Sequence, residues 1–268
     1  MTTLYSTGST GTIGKHLPKD VRPLVIDLSQ GREKLGKINF RTESNLLHLA
    51  GIVGPAEVMK DVDYARTVNV LGTRDLAEEF LERSEGIFYY VSTSHVYAPS
   101  MELILESNPL GPSNIYAEQK LEGEIELQSV FRNCINRLCI IRVFSVLDWD
   151  TAPFTLGGAI RKLTDGASDF VLANASDVRD FLTPTAISKS LYEVASQGKL
   201  SGIVNLCSGI GTSVGDAAKR MLSESDFDGF EHRFAWGQSS NPFTVGDNSR
   251  LKNAHPTLDL TWQPSTLN

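Results

Sequence analysis

A tyrosine and a lysine four residues apart, Tyr116 and Lys120, are the residues of this chain best suited to proton transfer. On a helix, residues four apart share a face, so the phenol and the ammonium group would lie side by side. A phenol with a reference pKa of about 10 is a poor base at neutral pH, but a nearby positive charge stabilises the phenolate and lowers that pKa. In such a setting Tyr116 would act as a general acid or base, supported by Lys120. Tyrosine and lysine four residues apart occur by chance in many helices, so a surface pair is the alternative interpretation.

A glycine-rich turn, Ser6 to Gly14, is typical of a site for the pyrophosphate of a dinucleotide. Gly8 permits a tight turn, Gly11 lets the backbone approach the phosphates, and Gly14 lets the next helix pack closely on the strand. The anion would then lie at a helix N-terminus, where unpaired N–H groups and the helix dipole favour negative charge. We expect that helix to be short, because Pro18 interrupts it. An ordinary turn is the alternative interpretation.

An aspartate follows the turn at a suitable distance. Asp27 ends a predicted strand over residues 23–27 and lies nineteen residues after Gly8. That spacing is close to the roughly 20 residues at which an acidic residue binds the adenosine ribose hydroxyls. The alternative is a solvated aspartate at a strand end. Because a carboxylate repels a 2′-phosphate, Asp27 predicts NAD(H) over NADP(H), with Arg32 as the competing feature. In that setting Tyr116 would move a proton while a hydride moves to or from the nicotinamide.

The amino-acid composition limits the classes of protein to which this chain can belong. The chain has 268 residues, with 41% hydrophobic and 21% charged residues, as in ordinary soluble globular proteins. Its net charge of −7 and lack of a Lys/Arg cluster argue against nucleic acid as a partner. No apolar run is long enough to span a membrane, and the first strand begins close to Met1, so we expect a cytoplasmic location. Three cysteines without metal-ligand spacing predict reduced thiols and no metal site.

Strands and helices alternate along the chain, which predicts an α/β fold with a doubly wound parallel sheet. Apolar residues recur at helical spacing from about Asp61 to Arg83. Two further helices are predicted, over 116–131 and 185–196. The predicted strands comprise residues 4–5, 23–27, 38–40, 46–51, 87–92, 138–144, 181–183 and 203–206. Residues 151–176 are expected to form a loop with a short helix.

The combined motifs resemble the extended short-chain dehydrogenase/reductase family, the NAD-dependent epimerases and dehydratases that act on nucleotide sugars. The resemblance extends from Thr7 to about Pro264. Its motifs are the TGxxGxxG turn (7–14), HLAG (48–51), NVLGT (69–73), STSHVY (92–97), Tyr116 with Lys120, RVFS (142–145), RDF (179–181), NLCSG (205–209) and WQP (262–264). It implies that residues 1–150 form a dinucleotide-binding domain with a Rossmann-type sheet, and that residues 177–206 return to this sheet. It also implies a small C-terminal substrate-binding lobe, residues 151–176 and 207–268.

The resemblance also assigns the site residues. The implied catalytic residues are Thr93, Tyr116 and Lys120. The implied cofactor-binding residues are Gly8, Gly11, Thr12, Ile13, Gly14, Asp27, Leu28, Ala50, Gly51, Ser92, Tyr116, Lys120 and Val143, for NAD or NADP. The implied substrate-binding residues are Thr93, Ser94, His95, Ser145 and Arg179, whose guanidinium suits a diphosphate. His95, with a reference pKa near 6.5, would suit an additional proton transfer, although a polar residue packed under the 98–114 loop is the alternative. Asn69 is expected to brace the central helix and strand.

The chain departs from the family pattern in several places. Ala98 replaces a glycine and Ser145 an asparagine, and no acidic residue stands near Phe40 for the adenine. Ser94-His95 replaces the Asp-Glu of the dehydratases, which argues against a sugar 4,6-dehydratase. The resemblance therefore implies 4-keto reduction or epimerisation of a nucleotide sugar, as a homodimer built from the helices at 61–83 and 115–131. Two alternatives stay open: reduction of a non-sugar carbonyl, and a cofactor-sensing module without turnover, which the Thr93/Tyr116/Lys120 set disfavours.

Overall fold

Six parallel strands form the central sheet of the protein. The computed structural model describes residues 2–36, 38–149, 151, 155–166, 171–223 and 233–263. The sheet strands are β1 (Thr3–Thr7), β2 (Arg22–Pro23), β3 (Ser44–His48), β4 (Phe88–Thr93), β5 (Leu138–Val143) and β8 (Gly202–Leu206). They lie in the order β2-β1-β3-β4-β5-β8, and each neighbouring pair is parallel. This arrangement confirms the predicted Rossmann-type, doubly wound fold.

Helices cover both faces of this sheet because its central strands are apolar on both faces. The described helices are α1 (Arg32–Leu35), α2 (Pro55–Val58), α3 (Val62–Arg66), α4 (Gly72–Arg83), α5 (Ile115–Val130), α6 (Leu156–Thr164), α7 (Pro184–Gln197), α8 (Val214–Leu222) and α9 (Ser249–Ala254). On one face, α4 and α5 pack against Tyr90 and Phe88 of β4. On the other, α7 packs against Tyr89 and Leu47. The predicted helices and central strands are confirmed within a few residues.

The predicted helix over 61–83 is one continuous helix with a π-helical segment in its middle. Asp61 caps α3 by accepting a hydrogen bond from the Tyr64 N–H at 2.9 Å. The π segment, Thr67–Leu71, joins α3 to α4. Such segments are rare and often occur at functional sites. This one contains Asn69, which the π turn directs toward the loop after β3.

The second strand is much shorter than predicted. β2 has only two residues, and both are exposed. The Leu24 N–H still donates to Ser6 O at 2.7 Å, but Val25 is 93% exposed and residues 24–27 are not a strand. The apolar residues over 23–27 suggested a buried strand. No long helix precedes them to cover their outer side, so the strand is short and exposed. The turn after β1 continues only as a 3₁₀ helix, Gly14–His16, as the position of Pro18 predicts.

The predicted strand at 38–40 is also wrong. These residues have no regular structure, yet Phe40 is buried and its ring packs edge-to-face on Tyr5 at 5.5 Å and on Phe80 at 5.4 Å between centroids. Aromatic packing, rather than strand pairing, explains the apolar pattern. Relative to the strand order 3-2-1-4-5-6 of dinucleotide-binding sheets, the part of the chain that the structure describes has no strand outside β2, and β8 adds a strand at the opposite edge.

A smaller sheet extends beyond the end of β5. It contains β6 (Ser145–Val146), β7 (Val178–Leu182), β9 (Gly211–Ser213) and β10 (Phe243–Thr244). Of the predicted return of residues 177–206 to the main sheet, only β8 joins it, whereas β7 belongs to this second sheet. Helices α6 and α8 pack beside it around Phe181 and Trp262, and the Trp262 indole donates to Leu147 O at 3.1 Å. Pro264, the end of the predicted WQP motif, lies outside the described residues.

None of the helices described is both long enough and apolar enough to cross a lipid bilayer.

Candidate active site

A cleft of about 400 Å³ lies at the carboxyl ends of β1, β3, β4 and β5. Ligands of doubly wound sheets bind at this end of the strands. The site residues assigned from sequence that line it are Gly8, Gly11, Thr12, Ile13, Gly14, Ala50, Gly51, Ser92, Thr93, Tyr116, Lys120 and Val143. The structure therefore brings the glycine turn and the Tyr116/Lys120 pair to one cavity.

The glycine turn leaves room for a ligand at one position only. Gly8 has a φ of 68°, and a Cβ there would lie 2.7 Å from the Ala50 nitrogen. A Cβ on Gly14 would overlap the Gly8 carbonyl oxygen, so both glycines are needed to form the turn itself. A Cβ on Gly11 would meet only the Gly8 oxygen, at 3.4 Å, and Gly11 lines the cleft. Gly11 thus offers bare backbone to an incoming group, which fits a pyrophosphate.

The expected helix dipole is absent from this site. The turn runs into a 3₁₀ helix of three residues, which is too short to build an appreciable macrodipole. An anion held here would depend on local backbone N–H groups of the turn rather than on a helix.

A buried histidine fixes the loop opposite the glycine turn. His48 Nδ1 lies 2.7 Å from Thr7 Oγ1, and Nε2 lies 2.9 Å from Thr73 Oγ1. Thr7 Oγ1 also accepts hydrogen bonds from the Leu49 and Ala50 N–H groups. Its own hydrogen must therefore go to His48 Nδ1, which requires a neutral imidazole protonated on Nε2. Burial, with a smaller contribution from Lys120, lowers the pKa of His48 to about 3.

Asn69 holds the next residues of the same loop. Its side chain accepts from the Ile52 N–H at 2.7 Å and donates to the Ile52 carbonyl oxygen at 3.0 Å. It also donates to Gln119 Oε1 at 3.0 Å, and Gln119 in turn donates to Val62 O. Gly51 is needed beside it, because a Cβ there would lie 2.9 Å from Asn69 Oδ1. Asn69 therefore braces the loop against two helices, and it also lines the cleft.

Helix α5 carries the candidate acid/base pair. Asn114 caps the helix by accepting from the Ala117 N–H at 3.0 Å, so Tyr116 and Lys120 stand in its first two turns. Tyr116 is half-buried, and Lys120 is 9% exposed. Burial lowers the pKa of Lys120 to about 7, against the opposing attraction of Glu124.

The expected lowering of the tyrosine pKa is not produced by the protein's own groups. Burial raises the pKa of Tyr116 above its ordinary value. The expectation was wrong for the protein alone, because desolvation penalises the phenolate and so raises the pKa. Any lowering would have to come from the positive charge of an oxidised nicotinamide. In the protein itself, Tyr116 is a neutral phenol that can donate a proton.

The Lys120 ammonium is held over an aromatic ring. Its Nζ lies 3.9 Å from the centroid of the Tyr90 ring, which is a cation–π geometry. The same ring stacks on His48, with centroids 5.8 Å apart and planes inclined by 24°. Sequence reasoning missed Tyr90. Its place two residues before Ser92 on β4 was the available signal.

A buried ion pair fastens α5 to the sheet. Glu124 accepts from Arg142 Nε at 3.1 Å and from an Arg142 terminal nitrogen at 2.6 Å, and Ser92 Oγ donates to the same carboxylate. Both charged side chains are almost fully buried. Glu124 is one turn beyond Lys120, so the helical spacing 116, 120, 124 was a signal for it. This pair fixes the distance from α5 to β4 and β5, and so positions Tyr116.

Thr93 ends β4 at the cleft. Its Oγ1 accepts a hydrogen bond from the His95 N–H at 3.3 Å, which caps the 3₁₀ helix Ser94–Val96. The hydroxyl hydrogen points elsewhere, because Oγ1 serves there as the acceptor.

Two predicted cofactor residues do not line the cleft. Asp27 is exposed, and its carboxylate accepts from the Ser29 N–H at 3.0 Å, from Ser29 Oγ at 2.6 Å and from Gln30 Nε2 at 2.9 Å. These hydrogen bonds, the Ser29 hydroxyl first, lower the pKa of Asp27. Leu28 is buried in the core, where a Cβ on Gly72 would overlap its carbonyl oxygen. Leu28 thus packs under α4.

The predicted substrate residues Ser94, His95, Ser145 and Arg179 lie outside the lining of the cleft. Ser94 is buried, and Ser145 is half-buried in β6. Burial of the His95 imidazole, followed by the positive charge of Arg179, lowers its pKa. Arg179 donates to Asp177 Oδ2 at 2.8 Å. His95 and Arg179 are thus electrostatic neighbours.

Sequence reasoning missed several residues that line the cleft. Ile52 and Val53 follow directly after the assigned Gly51, and Phe144 and Val146 follow Val143. Their positions after strand ends were signals that could have identified them. Thr151 and Thr155 come from a segment with no motif, and no sequence signal pointed to them.

Comparison with known proteins identifies the family. A sequence model of the "NAD dependent epimerase/dehydratase family" matches residues 38–207. GDP-6-deoxy-D-mannose reductase of Pseudomonas aeruginosa is 26% identical over 235 residues, covering 77% of this chain and 74% of the reductase. The dTDP-D-glucose 4,6-dehydratase of Homo sapiens is 28% identical over 195 residues, covering 69% of this chain. The match spans only 54% of that dehydratase's own length.

A solved structure, RMD from Pseudomonas aeruginosa complexed with NADPH, has the same fold. It superposes with a TM-score of 0.82 at 22% sequence identity, covering 98% of this chain and 94% of RMD. The relatives are named enzymes, and NAD(P)-dependent redox chemistry is common to their family. Since the family model matches more than half of the sequence, the chain belongs to the NAD-dependent epimerase/dehydratase family.

Proposed function

We propose that the protein transfers a hydride at a sugar carbon of a nucleotide sugar, with Tyr116 as the proton donor or acceptor. The observation that carries this proposal is the shared cleft: Tyr116, Lys120 and Thr93 line the same cavity as the glycine turn. A dinucleotide bound at the turn and extended along the carboxyl ends of the strands would bring its nicotinamide to these three side chains.

Each side chain has a distinct role in the proposed reaction. A bound nicotinamide supplies or accepts the hydride. Thr93 donates its hydroxyl hydrogen to the reacting oxygen, since its own Oγ1 already accepts from the His95 N–H. Tyr116 gives its proton to that oxygen during reduction or takes it during oxidation. Lys120 stabilises the phenolate that reduction leaves behind and holds the nicotinamide ribose.

The relatives support a nucleotide sugar as the substrate class. Their names specify GDP-6-deoxy-D-mannose and dTDP-D-glucose, both nucleotide diphosphate sugars. The guanidinium of Arg179, whose positive charge acts on His95, would suit the diphosphate. On this proposal residues 151–176 and 207–268 form the substrate-binding lobe. His95→Gln should then raise KM for the nucleotide sugar; an unchanged KM would remove His95 from the substrate site.

A ligand screen tests the substrate class. The melting temperature of the full chain is measured with NAD, NADH, NADP or NADPH, each alone and with GDP, UDP and dTDP sugars. A ligand that binds the native state raises the melting temperature. We expect a dinucleotide and one nucleotide sugar to raise it together by more than either ligand alone. A chain stabilised by a dinucleotide but by none of the sugars would contradict the substrate assignment.

We also propose a cytoplasmic homodimer. The outer faces of α3 and α5 expose Tyr64 and Ile125, at 50% and 58%, and Arg66 of α3 pairs with Glu122 of α5 between them. Light scattering should give the mass of two chains, and Ile125→Asp should give the mass of one. A parent chain of monomeric mass would contradict the dimer.

A further inference from the structure

The adenosine half of the cofactor site is unusually bare. The cleft is lined by residues of the glycine turn up to Gly14 and then by residues from Leu49 onward. Between them, residues 15–36 and 38–48 contribute nothing to its lining in the structure as described. In the arrangement expected for a doubly wound sheet, this stretch supplies the wall for the adenosine.

The sheet itself ends early on this side. β2 has two exposed residues, and Val25, two residues beyond its end, is 93% exposed. Residues 38–40 do not add the outermost strand. A bound adenosine would therefore face solvent on the side where a longer strand and its helix would otherwise enclose it.

Asp27, the acidic residue assigned to the ribose, is already engaged. Both carboxylate oxygens of Asp27 accept hydrogen bonds within its own loop, from Ser29 and Gln30. Ribose hydroxyls would have to compete with these donors for the same oxygens. The net gain from such an exchange is smaller than that from an unoccupied carboxylate, because one hydrogen bond replaces another.

We infer that the cofactor is held mainly by its pyrophosphate and nicotinamide halves and leaves after each turnover, so that the enzyme is a net ketoreductase. This inference rests on the proposed function and selects one of its two reaction types. A redox-neutral epimerase must retain the reduced cofactor while its ketone intermediate turns over. A net reductase needs the opposite, because the oxidised cofactor must be replaced by a reduced one before the next cycle.

The proposed reaction balances with NAD(P)H as the reductant. The carbonyl carbon of a keto sugar nucleotide gains the hydride, and its oxygen gains the proton of Tyr116. The ketone becomes an alcohol, the dihydronicotinamide becomes oxidised, and a proton from water restores Tyr116. A neutral phenol, which is the form that burial favours, suits this direction. The reaction that precedes this one must generate the ketone, by dehydration or oxidation of a nucleotide sugar.

Cofactor retention is the direct test. The full chain is purified by gel filtration without added nucleotide, denatured, and its bound dinucleotides are quantified by chromatography. We expect a substoichiometric amount, and full occupancy restored only by added NAD(P)H. One dinucleotide retained per chain would overturn the inference. Interconversion of two epimeric nucleotide sugars with no cofactor added would also overturn it, whereas oxidation of one NAD(P)H per ketone reduced would support it.

A pair of glutamine variants tests whether the hydrogen bonds that Asp27 accepts within its own loop weaken cofactor binding. Gln30→Ala frees one oxygen of Asp27, and we expect it to tighten NADH binding about three- to tenfold by titration calorimetry. Gln197→Ala is the matched control, since this exposed glutamine also donates to a carboxylate, that of Glu193, away from the cleft. Equal affinities in the two variants would count against the inference. If no nucleotide sugar is turned over, the proposed function fails, and the retention and affinity measurements still decide whether the cofactor exchanges.

Discussion

The Arg32 guanidinium faces helix α4, where its Nε donates to Glu79 Oε1 at 2.8 Å. Glu78, at 2.9 Å, and Glu82 complete a ring of carboxylates around it, and Glu79 raises the pKa of Arg32 further. The arginine that competed with Asp27 in setting cofactor choice is therefore engaged elsewhere.

The first prediction concerns that choice. Because Arg32 is held by three carboxylates, we predict tighter binding of NADH than of NADPH, with Asp27 repelling the 2′-phosphate. Asp27→Asn should shift the affinity ratio toward NADPH by about tenfold, the equivalent of about 1.4 kcal/mol. Arg32→Ala should leave the ratio unchanged. Titration calorimetry of the three proteins decides the matter, and a parent chain that prefers NADPH would refute the Asp27 interpretation.

The second prediction concerns acid stability. His48 has a pKa of about 3 in the folded protein and a reference pKa of about 6.5 when unfolded. Between these values the unfolded chain binds the extra proton, so the free energy of unfolding rises with pH. The stabilisation from neutral His48 is complete above about pH 6.5 and is lost as the pH falls toward 3. The slope from this group is at most about 1.4 kcal/mol per pH unit.

Urea unfolding at a series of pH values measures that slope. His48→Gln should lose part of the slope below about pH 6.5. His16→Gln, at an exposed histidine, serves as the control and should keep it. If the His48→Gln and parent proteins lose stability in parallel on acidification, another group is responsible.

The third prediction concerns the Tyr90 ring beneath Lys120. A cation–π contact of about 0.5–2 kcal/mol favours the ammonium form. Tyr90→Leu should therefore lower the pKa of Lys120 by about 0.4 to 1.5 units, and the pH at which NADH affinity declines should fall by the same amount. Tyr90→Phe keeps the ring and should keep the parent profile.

Tyr89→Leu is the matched control for lost packing. Tyr89 is equally buried on the same strand but faces the opposite side of the sheet, toward α7. The Tyr89→Leu variant should have a lower free energy of unfolding, but its NADH affinity should decline at the same pH as in the parent. If Tyr89→Leu and Tyr90→Leu give the same pH dependence of NADH affinity, the Tyr90 ring does not set the pKa of Lys120.

The fourth prediction concerns Asn69. Asn69→Ala removes both hydrogen bonds to Ile52 and the one to Gln119, which leaves partly buried backbone groups without partners. We expect a loss of about 2–3 kcal/mol in the free energy of unfolding. Cofactor affinity should also fall, because Gly51 and Ile52 line the cleft. Urea denaturation and NADH titration measure the two effects; a destabilised variant with parental affinity would restrict Asn69 to a structural role.

Sequence patterns predicted those elements in which the spacing of apolar residues along the segment itself determines which side is buried. The helix over 61–83, the Tyr116/Lys120 face of α5 and the central strands needed only apolar periodicity and a glycine turn. The prediction of a strand over residues 23–27 was wrong because burial of that segment would require a covering helix, and the 3₁₀ helix before it is too short to provide one. Leu28 lies outside the cleft lining for a related reason: its position is set by Gly72, which allows α4 to approach it.

The chemistry of the site depended on non-local contacts that sequence spacing does not reveal. The Glu124–Arg142 pair joins a helix to a strand, and the Tyr90–Lys120 contact joins another strand to that helix. The pKa of Tyr116 depends on how deeply the phenol is buried, which no motif records. Sequence therefore predicted that Thr93, Tyr116 and Lys120 share a site, and they line one cleft, whereas their electrostatic setting required the fold.

The turnover of Tyr116→Phe with a nucleotide-sugar substrate tests the central claim most directly. The substitution removes only the hydroxyl, so the ring packing and the glycine turn stay intact, and the melting temperature and NADH affinity should change little. General acid–base catalysis of this kind contributes about 100- to 10,000-fold, and we predict a fall in kcat of that order. A folded Tyr116→Phe protein that binds NADH and turns over the nucleotide sugar at the parental rate would contradict the account.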